Sequence, residues 1–372
     1  MTTLAPDRQH QYAKKSPTLW RSMLRVIWIQ HRFSVLVMIG IFGLIAAFML
    51  VTGASIHADF AKYLSNKCSY FGPNPANGTA CSNLSASLLH SLNFLTIVEI
   101  VMHAVPILIA MFIGAPLVAR EFESGSYQFA WTQGTPRSSW LTMKLLFLGF
   151  MVVVLAIPLG LIASWYAQPV DAIGFVSHWQ PGQFDVTAVT LPAICLTGLL
   201  AGVLIGALLK KIVSAIATAG LVVGSLVIGI SAYLDDAIFS IHTSASTWYP
   251  SDGNIGAVNR FAGVGGGFRS GPRGSWGGWL VNIWYEGLNG VHLSAKASGR
   301  VLNQLFSSNP KTTQVESHQY ELTWLANHHY SFWISYQPAN RFWIAQGVQA
   351  IIILALGFIL YRVAMTVIRR SA

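Results

Sequence analysis

Long runs of apolar residues dominate the chain and predict helices that cross a membrane. A helix needs about 20 apolar residues to span the hydrocarbon core of a bilayer. Six stretches meet this requirement, at residues 33–52, 94–119, 145–167, 189–209, 212–234 and 342–365. The pattern therefore predicts an all-α integral membrane protein with six transmembrane helices, which we number span one to span six along the chain.

The composition excludes the other broad classes of protein. Of the 372 residues, 53% are hydrophobic and only 10% are charged, whereas soluble domains carry about 25% charged residues. The apolar content excludes a disordered chain, and three cysteines are too few for a disulfide-rich secreted scaffold. The net charge of +10 would point to nucleic acid only if the basic residues formed a continuous patch, which they do not.

The placement of the basic residues predicts that both termini are cytoplasmic, because cytoplasmic loops carry an excess of Lys and Arg. The short loops on the opposite side hold only Lys62 and Lys67. A charged stretch precedes span one, so we expect that span to be a retained anchor rather than a cleaved signal. The basic residues on the predicted cytoplasmic side are Arg8, Lys14, Lys15, Arg21, Arg25, Arg32, Arg120, Arg137, Lys144, Lys210, Lys211, Arg362, Arg369 and Arg370.

The segment before span one has its own helical pattern. Apolar side chains recur at helical spacing from Pro17 to His31, beside a face that carries Arg21 and Arg25. This pattern favours an amphipathic helix that lies in the membrane interface, within a cytoplasmic N-terminal region at residues 1–32. An early extension of span one is the alternative.

The remaining regions divide the chain further. Residues 33–234 hold spans one to five, with an inner loop at 119–144, and residues 342–372 hold span six and the C-terminus. Residues 235–341 form a large extracytoplasmic domain whose histidines match no zinc-ligand spacing, so we predict no metal site. Cys68 and Cys81 share an exported loop, which favours a disulfide over two free thiols. Glycines spaced by four residues in spans four and five predict close packing between spans or between subunits.

The inner loop carries the most specific motif. Residues 114–145 read GAPLVAREFESGSYQFAWTQGTPRSSWLTMKL, and residues 337–343 before span six read QPANRFW. Both stretches resemble the permease subunits of ABC-2-type ABC transporters, especially the six-span permeases of actinobacteria. The matching inner-loop residues are Gly114, Ala115, Pro116, Arg120, Glu121, Glu123, Gly125, Ser126, Trp131, Thr132, Gln133, Arg137 and Trp140.

The resemblance implies a function and a set of partners. It implies a permease in a bacterial plasma membrane, paired with a second copy or a paralogue and with two cytosolic ABC ATPase subunits. ATP and Mg would bind the ATPases, so this chain would need no cofactor and would not itself be an enzyme. The substrates implied are exported hydrophobic or amphipathic molecules, such as drugs, peptides, lipids or natural products. The residues implied to couple the chain to the ATPase, through a short helix, are Arg120, Glu121, Phe122, Glu123, Gly125, Ser126 and Trp131.

Two features of the inner loop support docking without the resemblance. Glu121 and Glu123 are acidic residues on the side where basic residues prevail, which indicates a partner. Phe122 and Trp131 would expose aromatic rings to the cytosol unless a protein covered them. The alternative is an ordinary loop whose aromatic rings enter the membrane interface.

Span two contains two ionisable residues, Glu99 and His103, one helical turn apart. Ionisable groups inside a membrane usually face protein or water. The two residues are therefore candidates for the translocation path, and a mutual structural pair is the alternative. We expect no proton relay, because no other ionisable group of the sequence lies deep enough in a span.

Other functions have weaker support in the sequence. The chain has no phosphate loop, no metalloprotease motif and no nucleophile elbow. A membrane sensor or anchor that acts through residues 235–341 is one alternative to a permease. A secondary transporter that uses Glu99 is another.

Overall fold

The structure is a computed structural model that describes residues 17–68, 78–125, 137–173, 177–240, 244–248, 266–268, 278–287, 290–308, 320, 323–325 and 327–370. Within these residues, six helices are long and apolar enough to cross a membrane, which confirms the predicted number of spans. The helices of the spans are Pro17–Ser65, Gly78–Ile109 with Ala115–Ser124, Arg137–Ile173, Thr190–Leu209, Ile212–Gly229 with Asp235–Phe239, and Phe342–Arg370.

Spans two and five each contain a π-helical turn between two α-helices. The turn in span two is Ala110–Gly114, and the turn in span five is Ile230–Leu234. Pro106 precedes the first turn, and its missing N–H interrupts the α-helical hydrogen bonds nearby. Such π-bulges occur frequently at functional sites, and both turns take part in the contacts described below.

Spans one and two continue well past their apolar stretches on the predicted outer side. The span-one helix has 49 residues, or roughly 70 Å at the α-helical rise per residue. Cys68 and Cys81 are joined by the disulfide that their shared loop favours, and Ser87 donates a hydrogen bond of 2.7 Å to Asp59. The described residues 53–65 and 78–93, which the hydropathy pattern assigns to a loop, are therefore helical.

The N-terminal part of span one is continuous with the rest of the helix. The helix begins at Pro17 and passes through His31 and Arg32 without a break. The structure therefore has no separate helix between Pro17 and span one. Whether this part lies along the membrane interface stays a prediction.

Span four is the central helix and is buried along most of its length. Spans two, three, five and six all pack against it. Its glycines meet the backbone of span two, because a Cβ at Gly198 would lie 2.8 Å from the Pro106 carbonyl oxygen. A Cβ at Gly114 of span two would lie 2.6 Å from the Leu199 carbonyl oxygen. The predicted close packing thus occurs within one chain.

The segment at 177–189, between spans three and four, packs against the ends of the neighbouring spans. Its short helix Pro181–Phe184 returns among the spans, and Trp179, Phe184 and Asp185 are buried. A cluster of Trp179, Phe184, Ile238, Phe239 and Phe342 forms around it. Non-helical backbone is tolerated at such depth only where the protein itself surrounds it.

The region 235–341, which is predicted to be extracytoplasmic, adds strands to the predicted all-α fold. Ser244–Trp248, Gly266–Phe268, Gly278–Glu286 and Ser331–Gln337 are strands β1 to β4 of an antiparallel sheet in the order β1-β4-β3-β2. A helix at Ala295–Ser308 lies between β3 and β4 in the sequence. Trp284 and Trp333 are directly opposite each other and stack at 6.1 Å between ring centroids. The sequence pattern does not predict these strands, because a Gly-rich stretch and scattered aromatic residues obscure the alternation of apolar and polar positions.

Replacing Gly202 of span four by Ala is expected to destabilise the protein, because a Cβ there would overlap the Ala110 carbonyl oxygen. Alanine favours a helix over glycine by about 1 kcal/mol, so a loss of stability identifies a packing conflict. We expect the free energy of unfolding to fall by about 1–3 kcal/mol, measured as a lower Tm in lipid nanodiscs. Gly224→Ala is the matched control, because the nearest atom to its Cβ is Ile107 Cδ1 at 3.8 Å. An equal loss in both variants would contradict the packing described here.

Candidate functional site

The predicted cytoplasmic end of span two is fastened to its neighbours by three contacts. Lys144 Nζ of span three donates a hydrogen bond to Glu121 Oε1. Glu123 Oε2 accepts a hydrogen bond of 2.8 Å from the backbone N–H of Ile212. The ammonium of Lys210 lies 5.5 Å from the centre of the Phe122 ring. We call this set the inner clamp: Glu121, Phe122, Glu123, Lys144, Lys210 and Ile212.

Local helix chemistry explains two features of the inner clamp. Ile212 is the first residue of the span-five helix, whose N–H groups have no partner inside the helix. The carboxylate of Glu123 satisfies one of these groups and complements the positive end of the helix dipole. Gly125 then ends the span-two helix at φ 69°, a left-handed conformation that favours glycine.

The pair of Lys144 and Glu121 is largely removed from solvent. The exposed fraction of the side chain is 3% for Lys144 and 20% for Glu121. The Trp140 ring centre lies 4.3 Å from the Lys144 ammonium. A buried ammonium requires a counter-ion, because its desolvation costs several kcal/mol. The carboxylate of Glu121 is therefore a structural partner of Lys144.

These contacts change the interpretation of the predicted coupling residues. Glu121 and Glu123 meet groups of their own chain, so their charges no longer require a partner protein. Residues 120–124 are the last turns of the span-two helix rather than a separate coupling helix. Arg120 is exposed, while Phe122 packs against the core of the spans. Ser126 and Trp131 lie outside the described residues.

A second group of polar side chains lies at the opposite ends of the spans, around the 177–189 segment. Gln183 of that segment donates a hydrogen bond to Glu99 Oε1. His103 Nδ1 lies 2.7 Å from the backbone carbonyl oxygen of Glu99, and His103 Nε2 lies 3.5 Å from Asp185 Oδ2. We call the whole group the outer polar cluster: Glu99, His103, Gln183, Asp185, Thr187, Ser231, Asp235, Gln346 and Gln349.

Asp185 is the most connected member of the outer polar cluster. Ser231, in the π-helical turn of span five, donates a hydrogen bond to its Oδ2. The Nε2 of Gln349 lies 2.7 Å from Asp185 Oδ1 and 2.6 Å from Asp235 Oδ1. One amide nitrogen of span six therefore bridges two buried carboxyl groups. The bridge joins the 177–189 segment to spans five and six.

Gln346, a second glutamine of span six, also holds the 177–189 segment in place. Gln346 Nε2 donates a hydrogen bond of 2.8 Å to the Phe184 carbonyl oxygen, and Thr187 donates one to Gln346 Oε1. Thr190, the first residue of span four, also donates to the Phe184 carbonyl oxygen, at 2.8 Å. The backbone of the segment is thus satisfied by side chains of neighbouring spans.

The sequence pattern indicated only part of the outer polar cluster. It placed Glu99 and His103 together, but the side chain of His103 faces Asp185 rather than the Glu99 carboxylate. The sequence pattern does not single out Asp185 and Asp235, which are buried in the same cluster. A readable signal was present in span six, where Gln346 and Gln349 lie one turn apart in the otherwise apolar stretch 342–360.

Comparison with known proteins gives one match. A family model described as ABC-2 membrane transporter related matches residues 39–234, which is more than half of the chain. Comparisons with curated proteins and with solved structures found no match. The matched region includes the inner clamp and the 177–189 segment, and it ends before residues 235–341 and span six.

The two partners of the buried ion pair are expected to differ in their sensitivity to mutation. Glu121→Gln leaves the Lys144 ammonium buried without a counter-ion, a change that costs about 3–5 kcal/mol. Lys144→Met is expected to cost less, since the one-fifth exposed Glu121 has access to solvent. The double variant with Glu121→Gln and Lys144→Met is expected to recover much of the stability lost in Glu121→Gln. The measurement is the Tm of each variant in nanodiscs.

The control for this comparison is Lys62→Met. Lys62 forms an exposed ion pair with Asp59 at 3.5 Å, and such pairs contribute at most about 1 kcal/mol. A Tm for Glu121→Gln equal to that of Lys62→Met would show that the buried pair does not stabilise the fold.

Proposed function

The chain belongs to the ABC-2 membrane transporter related family, and from this membership we propose that it is the permease subunit of an ATP-driven exporter. A separate cytosolic ABC ATPase supplies the energy and binds the ATP and Mg. Two such ATPase subunits act on a pair of permeases, either two copies of this chain or this chain and a paralogue. Both termini lie in the cytoplasm, on the side of the inner clamp.

The inner clamp is the observation that supports coupling. An ATPase that docks at residues 126–136 acts on the end of span two, at Gly125. Through Glu121 that end is tied to span three, and through Glu123 it is tied to the start of span five. A displacement at the loop therefore moves three spans together rather than bending one helix. Phe122 extends the connection to Lys210, at the end of span four.

In this mechanism Glu121 and Glu123 position the end of the span-two helix, and the exposed Arg120 contacts the ATPase. Arg120 lies on the exposed surface next to Glu121, and its planar guanidinium suits a carboxylate of the partner. ATP binding closes the ATPase pair, and the different affinity of the ATPase for the two permease states shifts the path from inward-open to outward-open.

The proposed substrates are hydrophobic or amphipathic molecules. A groove of about 330 Å³ lies between spans one and two, next to the π-helical turn of span two. Its walls are almost entirely apolar and include Phe33, Val37, Ile41, Leu108 and Phe112. Phe33 and Phe112 are more than half exposed at its rim. An apolar groove of this kind accepts a molecule that is already dissolved in the bilayer.

Purification of the chain with its ATPase tests the proposal. The tagged chain, extracted from its native membrane in mild detergent, is expected to carry a P-loop ATPase in a one-to-one ratio. Arg120→Ala is expected to weaken retention of the ATPase about tenfold, the equivalent of about 1.4 kcal/mol at an interface. Glu123→Gln is expected to retain the ATPase but to lower its hydrolysis rate in the complex, because span five no longer follows span two.

Arg369→Ala is the matched control, because Arg369 is an exposed arginine at the predicted cytoplasmic end of span six. It is expected to change neither retention nor hydrolysis. If no P-loop ATPase accompanies the chain, the permease proposal fails. If Arg369→Ala weakens retention as much as Arg120→Ala, the docking position is wrong.

A further inference from the structure

The outer polar cluster contains four ionisable side chains from three parts of the chain. Glu99 and His103 come from span two, Asp185 from the 177–189 segment and Asp235 from the outer end of span five. The exposed fraction is 1% for Asp185 and 0% for Asp235. Burying a charge in the protein interior costs free energy, so the packing of this cluster depends on how many protons it holds.

The hydrogen-bond geometry of His103 requires a proton next to Asp185. A backbone carbonyl oxygen can only accept, so Nδ1, 2.7 Å from the Glu99 carbonyl, carries a hydrogen. Nε2 then faces Asp185 Oδ2 at 3.5 Å. This approach is favourable when Nε2 carries a second proton or when the carboxyl group is protonated. Without that proton, two atoms with lone pairs face each other inside the protein.

The other groups around Asp185 do not replace this proton. From span five Ser231 donates a neutral hydroxyl, and from span six Gln349 donates a neutral amide. Among the described residues, the further titratable groups of the cluster are Asp235, which shares the Gln349 nitrogen, and Glu99, which is held by Gln183. Both add negative charge when ionised, so they strengthen the requirement for a proton between His103 and Asp185.

The cluster is packed too closely for a larger ligand. A Cβ on Gly182 would lie 2.8 Å from Glu99 Oε2, and the amides and carboxyl groups are in direct contact. Within the described part of the chain, no three His, Cys, Asp or Glu side chains converge on a metal position. A proton needs no cavity, because it binds between two side chains that are already in contact.

We propose that the outer polar cluster is a proton-binding site, in which one proton between His103 and Asp185 holds the 177–189 segment against spans two, five and six. Loss of this proton to water turns the contact of Nε2 and Oδ2 into a repulsion, and the segment separates from span two. The site differs from the inner clamp and does not depend on an ATPase. Proton release therefore loosens the outer ends of the spans, where an exported substrate leaves.

Hydrogen–deuterium exchange on the full chain in lipid nanodiscs tests the proposal. Protection of the backbone amides at 177–189, corrected for intrinsic exchange, is measured from pH 5 to pH 9. Opening releases one proton, so opening is favoured as pH rises. We expect constant protection below the ordinary range of histidine titration, near pH 6.5. Above that range, protection is expected to fall by up to about tenfold for each pH unit over which the proton is released.

Three variants separate this site from general effects of pH. His103→Gln supplies a side-chain amide that does not titrate, and Asp185→Asn removes the charge that retains the proton. Both are expected to abolish the pH dependence at 177–189. His178→Gln is the matched control. His178 lies in the same segment and pairs with Asp171 of span three at 3.0 Å, but it is not part of the cluster. It is expected to keep the full pH dependence.

Two outcomes would overturn the proposal. The first is that protection of residues 177–189 in the wild-type chain does not change with pH. This outcome can be observed without any variant. The other is a pH dependence that persists in Asp185→Asn or disappears in His178→Gln. If His103→Gln does not fold, Asp185→Asn and the wild-type profile decide the question. Neither outcome bears on ATPase retention, so this proposal and the permease proposal can fail separately.

Discussion

A bilayer core offers no hydrogen bonds, so a polar group buried among the spans must find its partners within the protein. The inner clamp and the outer polar cluster are both responses to this constraint. Lys144 is buried only with Glu121 beside it, and the 177–189 segment returns among the spans only because Gln346, Gln349 and Thr190 satisfy it. These polar contacts are few and connect several spans each, so the relative positions of the spans depend on them.

Span four connects the two groups of contacts. Its first residue, Thr190, binds the 177–189 segment, and Lys210 at its other end contacts Phe122 of the inner clamp. Between these ends its glycines let the backbone of span two approach closely. Close-packed helices have little freedom to deform continuously. A rigid central helix with polar contacts at both ends is a suitable structure for moving the outer segment when the inner end is displaced.

The proposed proton site and the proposed ATPase contact lie at opposite ends of the same spans. Span two carries both, with His103 before its π-helical turn and Glu121 after it. In span five Ser231 lies within the π-helical turn, and the α-helix Ile212–Gly229 joins that turn to the inner contact at Ile212. Because such turns are less regular than an α-helix, they are places where a span can adjust its register.

The sequence by itself determined the membrane class, the number of spans and the pairing of Cys68 with Cys81. These properties depend on local hydropathy and on the shared loop, so they can be read one segment at a time. It also singled out Glu99, His103 and the residues of the inner clamp in span two. Only the tertiary structure showed that Glu121 and Glu123 bind their own chain, and that Asp185 and Asp235 meet at one glutamine. The physical reason is that a polar residue in a short connecting segment has no local signature of burial. Its environment is decided by distant helices that supply the missing hydrogen bonds.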